Sequence, residues 1–156
     1  AHANRTLVSN ISPEVVWLRN QEKNHDINSD QCFLDFQKNI EKQKIDLVTL
    51  LTELKKAGKT VIGYGASTKG NVILQFCDIG TDLLPYIGDI TPFKDGAYTP
   101  GSKIPIISIE KAKAMKPDYF LVLPWAFRND IVLREKETLS SGMKLIFPLP
   151  FVEIVG

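Results

Sequence analysis

The stretch VIGYGASTKGNVILQF, residues 61 to 76, sets three glycines, a serine, a threonine and a lysine between two apolar runs. A strand followed there by a helix would aim unpaired backbone amides and a partial positive charge at an anion, and glycines would let that anion approach the chain. Gly63 and Gly65 fill the first two positions of a GxGxxG dinucleotide loop, but Thr68 stands where the third glycine belongs, and glycine returns only at Gly70. A threonine in that place holds the helix farther from the strand, so the dinucleotide fingerprint is broken. The Walker A phosphate loop fits worse, because it runs glycine, lysine, then Ser or Thr, and here the order is Ser67, Thr68, Lys69, Gly70. Asp89 stands where an acid meets a ribose hydroxyl in dinucleotide enzymes. The same residues have plainer uses: Gly63 and Gly65 can shape a tight turn, Lys69 can be a solvated first-turn lysine, and Asp89 can be a cap.

The remaining chemistry-bearing residues are sparse. His2 and His25 fall in terminal or loop segments, and no catalytic role is assigned to them. Cys32 and Cys77 have no CxxC spacing, which indicates neither a zinc site nor a disulfide framework, and both fall on apolar helical faces that suit a buried, inert thiol. Trp125 follows Pro124 at the end of an apolar strand, where it either packs in the core or lines a crevice.

These residues need a scaffold, and the hydrophobic pattern describes one. Residues 5 to 9 can form a short strand, and Ser12, Pro13 and Glu14 open a helix over 13–22. The polar run 24–30 is a loop, after which Ser29 or Asp30 caps a long helix. Phe33, Phe36, Ile40, Leu47, Leu51 and Leu54 form its apolar stripe, and it ends at Gly58. Strand and helix then alternate: TVIGY, a helix over 68–77, LPYIGD, a Pro- and Gly-rich loop over 90–103, IPIIS, a helix begun by Ser108, DYFLVL, an amphipathic WAFRNDIVLREKETL with Phe127, Ile131 and Leu139 on one side, and MKLIFPLP, stopped by Pro148. Such alternation implies right-handed crossovers. The expected architecture is α/β, a Rossmann-like three-layer sandwich with a mostly parallel sheet of about five strands in the order 3-2-1-4-5 and helices on both faces. The loop after its first strand would line the crevice where the order reverses.

A length of 156 residues suits one domain with a short appended segment, and the opening AHANRTLVSN reads as a cut edge rather than a natural start. Hydrophobic content of 44%, charged content of 24% and a net charge of +1 give no pull toward nucleic acid or a membrane, and the cysteine usage suits a cytoplasmic protein.

Three blocks, GKTVIGYGASTKGNVILQ, GDITPFKDGAYTPGSKIPI and PDYFLVLPWAF, together resemble the C-terminal domain of the S-adenosylmethionine (SAM)-dependent C-methyltransferases that act on nucleotide-linked keto-deoxysugars. The resemblance covers the chain from about residue 31 onward. It implies a division into an N-terminal strand and helix, 1–30, joining to an absent SAM-binding domain, and a Rossmann-like C-terminal domain, 31–156. It also implies zinc and SAM for the full enzyme, held by regions with no counterpart here, and no cofactor, metal or catalytic base in this chain. The implied partners are the nucleotide-sugar and the SAM-binding domain of the same enzyme, with a homodimer as a further possibility. The implied substrate-side residues are Gly63, Tyr64, Gly65, Ala66, Ser67, Lys69, Asn71, Asp89, Lys94, Tyr98 and Trp125, with Ser67, Lys69 and the amides near Gly65 facing a diphosphate. Two positions depart from the family pattern, Thr91 and Ala126, where asparagine is usual. An NAD(P)-binding domain using Asp89, and a structural domain that dimerises through the helix at 31–57, are the competing readings.

Overall fold

The computed structural model describes residues 11–156, so the strand expected over 5–9 and His2 lie outside the described residues. The chain divides into two units, one reaching Ile40 and the other running from Glu41 to Gly156. Within the first, helix α1 (Pro13–Asn24) opens as its sequence dictates, with the Ser12 hydroxyl accepting from the Val15 amide at 3.4 Å. Helix α2 (Asp30–Lys56) begins in the same way, the Ser29 hydroxyl accepting from the Cys32 amide at 3.1 Å. Its expected stripe is buried only in its second half. Leu47 and Leu51 are core residues with Leu54 packed against them, whereas Phe33 and Phe36 are exposed. No residue of α1 is buried, and Val15, Val16, Trp17 and Leu18 are all exposed.

Helix α2 closes at Gly58 (φ +69°), where the Gly58 amide donates to Lys55 O and the Lys59 amide to Leu54 O, so that the last carbonyls are satisfied as the chain turns. The sheet follows: β1 (Val61–Tyr64), β2 (Ile87–Asp89), β3 (Ile106–Ser108), β4 (Tyr119–Val122), β5 (Lys144–Phe147) and β6 (Glu153–Val155), in the order β3-β2-β1-β4-β5-β6. The first five strands pair in parallel and in the expected order; β6 adds an antiparallel edge against β5. The sequence reading stopped at Pro148 and did not foresee β6. This strand of three residues is held by a long-range pair, the Arg128 guanidinium donating to both carboxylate oxygens of Glu153 at 2.7 and 3.0 Å.

Alternation along the strands divides the core into two faces. Val61, Ile87, Leu121 and Ile146 pack with α2 and with α3 (Thr68–Phe76), whereas Ile62, Phe120, Val122 and Leu145 pack with α4 (Ile109–Ala114) and α5 (Arg128–Arg134). The expected single amphipathic helix at 125–139 is in fact three pieces: a 3-10 turn Trp125–Phe127, α5, and α6 (Lys136–Ser140). The break falls at Glu135 (φ −94°, ψ 20°), and it leaves Ile131 buried, Leu139 half-buried and Phe127 exposed, so the three do not share one apolar side. Of the two cysteines, Cys77 is buried, and burial raises its thiol pKa; Cys32 is half-buried. No described helix is long and apolar enough to cross a membrane.

The contact that a third loop glycine would supply exists, but two residues later than the fingerprint places it. A Cβ built on Gly70 would lie 2.5 Å from Leu123 Cβ, so it is Gly70 that lets the first turn of α3 rest on the end of β4. Gly70→Ala should therefore destabilise the domain by about 1–3 kcal/mol through overpacking, although alanine is the better helix former by about 1 kcal/mol. A lower urea midpoint is expected; an unchanged or higher one would mean that α3 lifts away from β4 at no cost.

Candidate functional site

The order reverses at β1, which has β2 on one side and β4 on the other, and a crevice of about 260 Å³ opens at the carboxyl ends of these strands. Its floor and walls come from the loops after β1 (Gly65, Ala66, Ser67), β2 (Ile90, Thr91, Lys94) and β4 (Pro124, Phe127), together with Ile131 and Arg134 of α5. Gly65 has φ +79°, and a Cβ there would meet Pro124 Cγ at 2.8 Å, so glycine is required both for the turn and for the approach of the β4 loop. The Ser67 hydroxyl accepts from the Gly70 amide at 3.0 Å and caps α3, leaving the first-turn amides that intrahelical bonding does not use.

Asp89 holds these loops together. Its Oδ2 accepts from the Ala66 amide at 2.7 Å and from Lys94 Nζ at 3.1 Å, and its Oδ1 accepts from the Thr91 amide at 2.8 Å. Lys94 Nζ also donates to the Ala66 carbonyl at 2.9 Å, closing a clasp between the β1 and β2 loops. Burial alone would raise the Asp89 pKa, but the bonds from Thr91, Lys94 and Ala66 outweigh it and hold the carboxyl below its ordinary range. Because the Thr91 backbone makes its bond to Asp89, the clasp does not need the asparagine side chain usual at that position.

A second buried carboxylate stands behind the crevice. Glu135 is 2% exposed; its Oε1 accepts from the Tyr64 hydroxyl at 2.8 Å, and its Oε2 faces Lys113 Nζ and the Thr138 hydroxyl, each at 2.6 Å. Burial raises its pKa, and the bonds from Lys113, Thr138 and Tyr64 together overcome that and leave it lowered. Tyr64 shifts the other way: burial first, then the hydrogen bond to Glu135, push its phenol well above the ordinary value.

A family profile described as C-methyltransferase C-terminal domain matches residues 1–150. The chain belongs to this family. It is also 34% identical over 146 residues to the C-methyltransferase NovU of Streptomyces niveus, an alignment that covers 94% of this chain and 35% of that protein. The chain thus spans about a third of that relative's length.

Within this C-methyltransferase C-terminal domain, the crevice gathers Tyr64, Gly65, Ala66, Ser67, Asp89 and Lys94 of the sequence-expected set. The others lie elsewhere. Gly63 is buried in β1, where a Cβ would be 2.6 Å from Ile87 Cγ1, and Asn71 is half-buried in α3. Tyr98 is exposed and bridges to Pro105. Lys69 is exposed, with Nζ 5.9 Å from the Trp125 ring, and Trp125 itself is half-buried and packs against the core face of α4 and α5. Sequence reasoning missed Arg134 and Glu135. The available signal was Glu135 four residues after Ile131, which places a carboxylate on the core-facing side of its helix. No group of three or more His, Cys, Asp or Glu among the described residues is arranged to hold a metal, and none of them fits the zinc that the resemblance implies for the full enzyme.

The clasp predicts a pH dependence. The folded pKa of Asp89 lies below its unfolded value of about 3.9, so its stabilisation is complete above that value and is lost as pH falls through the folded pKa. Asp89→Asn, which sets an amide donor against donors, should cost about 2–3 kcal/mol at neutral pH. It should also flatten the stability curve below about pH 4. Urea unfolding of both proteins between neutral and acid pH measures this, and identical acid limbs would remove Asp89 from the account.

Proposed function

We propose that this chain is the substrate-side domain of a SAM-dependent C-methyltransferase acting on a nucleotide-linked keto-deoxysugar, and that residues 1–30 join it to a SAM-binding domain. The observation that carries the reading is the switch-point crevice, built by a Gly65 turn and the opening of α3 and lined by groups that bind rather than transfer protons. Asp89 and Glu135 are each engaged by three donors from other residues, and the Tyr64 phenol is committed to Glu135, so each is a poor proton acceptor or donor near neutrality. In this reading the base that removes the proton alpha to the sugar ketone, and the site for the methyl donor, belong to the other domains. This domain orients the nucleotide-sugar against them, with Ser67, Lys69 and the amides near Gly65 toward the diphosphate.

The NAD reading has less support, because its ribose acid, Asp89, already accepts on both oxygens from Ala66, Thr91 and Lys94. Calorimetric titration of the chain with dTDP, a dTDP-hexose, NAD and SAM separates the two. We expect the dTDP ligands to bind and the other two not to, with binding weakened several-fold in Lys69→Ala. Binding of NAD alone would overturn the proposal.

A further inference from the structure

Three cations border the crevice, and their surroundings differ. Lys94 is committed to Asp89 and the Ala66 carbonyl. Lys69 sits over Trp125 and is not among the lining residues. Arg134 lines the crevice, is exposed, and forms no ion pair with a carboxylate among the described residues, unlike Lys94, the other lining cation, which is paired with Asp89.

The position of Arg134 is set from below. Its guanidinium carbon lies 6.0 Å from the centroid of the Tyr64 ring, within cation–π range. Tyr64 is itself immobilised, since its ring meets Phe120 edge-on with centroids 5.7 Å apart and its hydroxyl donates to buried Glu135. A phenol that donates to a carboxylate gains phenolate character, and its ring face becomes a better seat for a cation. Lys113 and Thr138 fix the other oxygen of Glu135, so the chain of contacts runs from the far side of the helix layer to the crevice. Arginine presents a planar set of donors suited to two oxygens of one anion, which a lysine cannot match.

We infer that Arg134 is a further anion-binding residue of the crevice, acting beside the groups proposed above, that the anion is the diphosphate of a nucleotide-sugar, and that Tyr64, held by Glu135, is the positioning residue that aims it. The nucleotide part rests on the function proposed above; the anion part stands on the crevice geometry alone. The test is calorimetric titration of the chain and of its Arg134→Gln, Arg134→Lys, Tyr64→Phe and Arg134→Gln/Tyr64→Phe variants with dTDP, thymidine and inorganic pyrophosphate. Arg134→Gln should weaken dTDP and pyrophosphate by about tenfold or more and leave thymidine binding and the melting temperature unchanged, with Arg134→Lys recovering only part of the loss. Tyr64→Phe should weaken dTDP in the parent and have no further effect in Arg134→Gln; a full additional loss there would reduce Tyr64 to a structural part. Pyrophosphate bound by Arg134 with dTDP no tighter would keep the anion site and remove the nucleotide-sugar. Failure of pyrophosphate to bind the parent at millimolar concentration, or equal binding by Arg134→Gln, would overturn the inference.

Discussion

The crevice exists because one buried carboxylate accepts from three donors in two loops at once. Without Asp89, the loops after β1 and β2 would have no common anchor: the Ala66 and Thr91 amides and the Lys94 ammonium would each need another acceptor in a place where water has limited access. A carboxylate can serve all three, since its two oxygens offer about four lone-pair directions. Lys94 supplies the neutralising charge and ties back to the Ala66 carbonyl, so the anion, the cation and both loops form one closed arrangement. The Gly65 turn is then pressed against Pro124 from the β4 side, and the three loops that line the crevice are fixed relative to one another.

Glu135 repeats the same logic on the far side of β1. It too is buried and ionised, and it too collects donors from separate elements: β1 through Tyr64, α4 through Lys113 and α6 through Thr138. Removing one partner of such a group leaves an uncompensated buried charge, a far larger loss than the pair contributes over an apolar replacement. Each negative charge has its own lysine, and the cations left over at the crevice edge are Arg134 and Lys69. The site therefore has a sign, although the chain as a whole has a net charge of only +1.

What could be read in the sequence was what depends on local period and local turn chemistry. The serines at 12, 29, 67 and 108 cap helices, and the apolar runs form strands in the order expected, because these features are decided within a few residues. What was hidden depends on partners distant in the chain. The role of Gly70 requires Leu123, that of β6 requires Arg128, and that of Glu135 requires Tyr64. Phe33 and Phe36 show the reverse case: their spacing continues the stripe of Leu47 and Leu51, yet periodicity marks a face and does not say along how much of it anything packs. The same holds for the site, where spacing marks Asp89 as an acid but does not say that its oxygens accept from the Ala66 and Thr91 amides and so join two loops.

The proton inventory of the crevice bears on which part of a methyl transfer such a domain could serve. Removing a proton alpha to a ketone needs a group that is unprotonated and free to accept near neutral pH. The two carboxylates here are unprotonated but committed, each with donors on both oxygens and a pKa held below the ordinary range. Tyr64 is protonated, and its raised pKa makes ionisation harder rather than easier. Arginine does not titrate in this range at all. A wall made of one saturated acid, a locked phenol backed by a second saturated acid, and the cations Lys94 and Arg134 is well made for holding an anion and poorly made for moving protons. That fits the division of labour proposed above, in which another domain performs the chemistry, because fixed dipoles and charges need no rearrangement when a bound anion is presented to a reactive site built elsewhere.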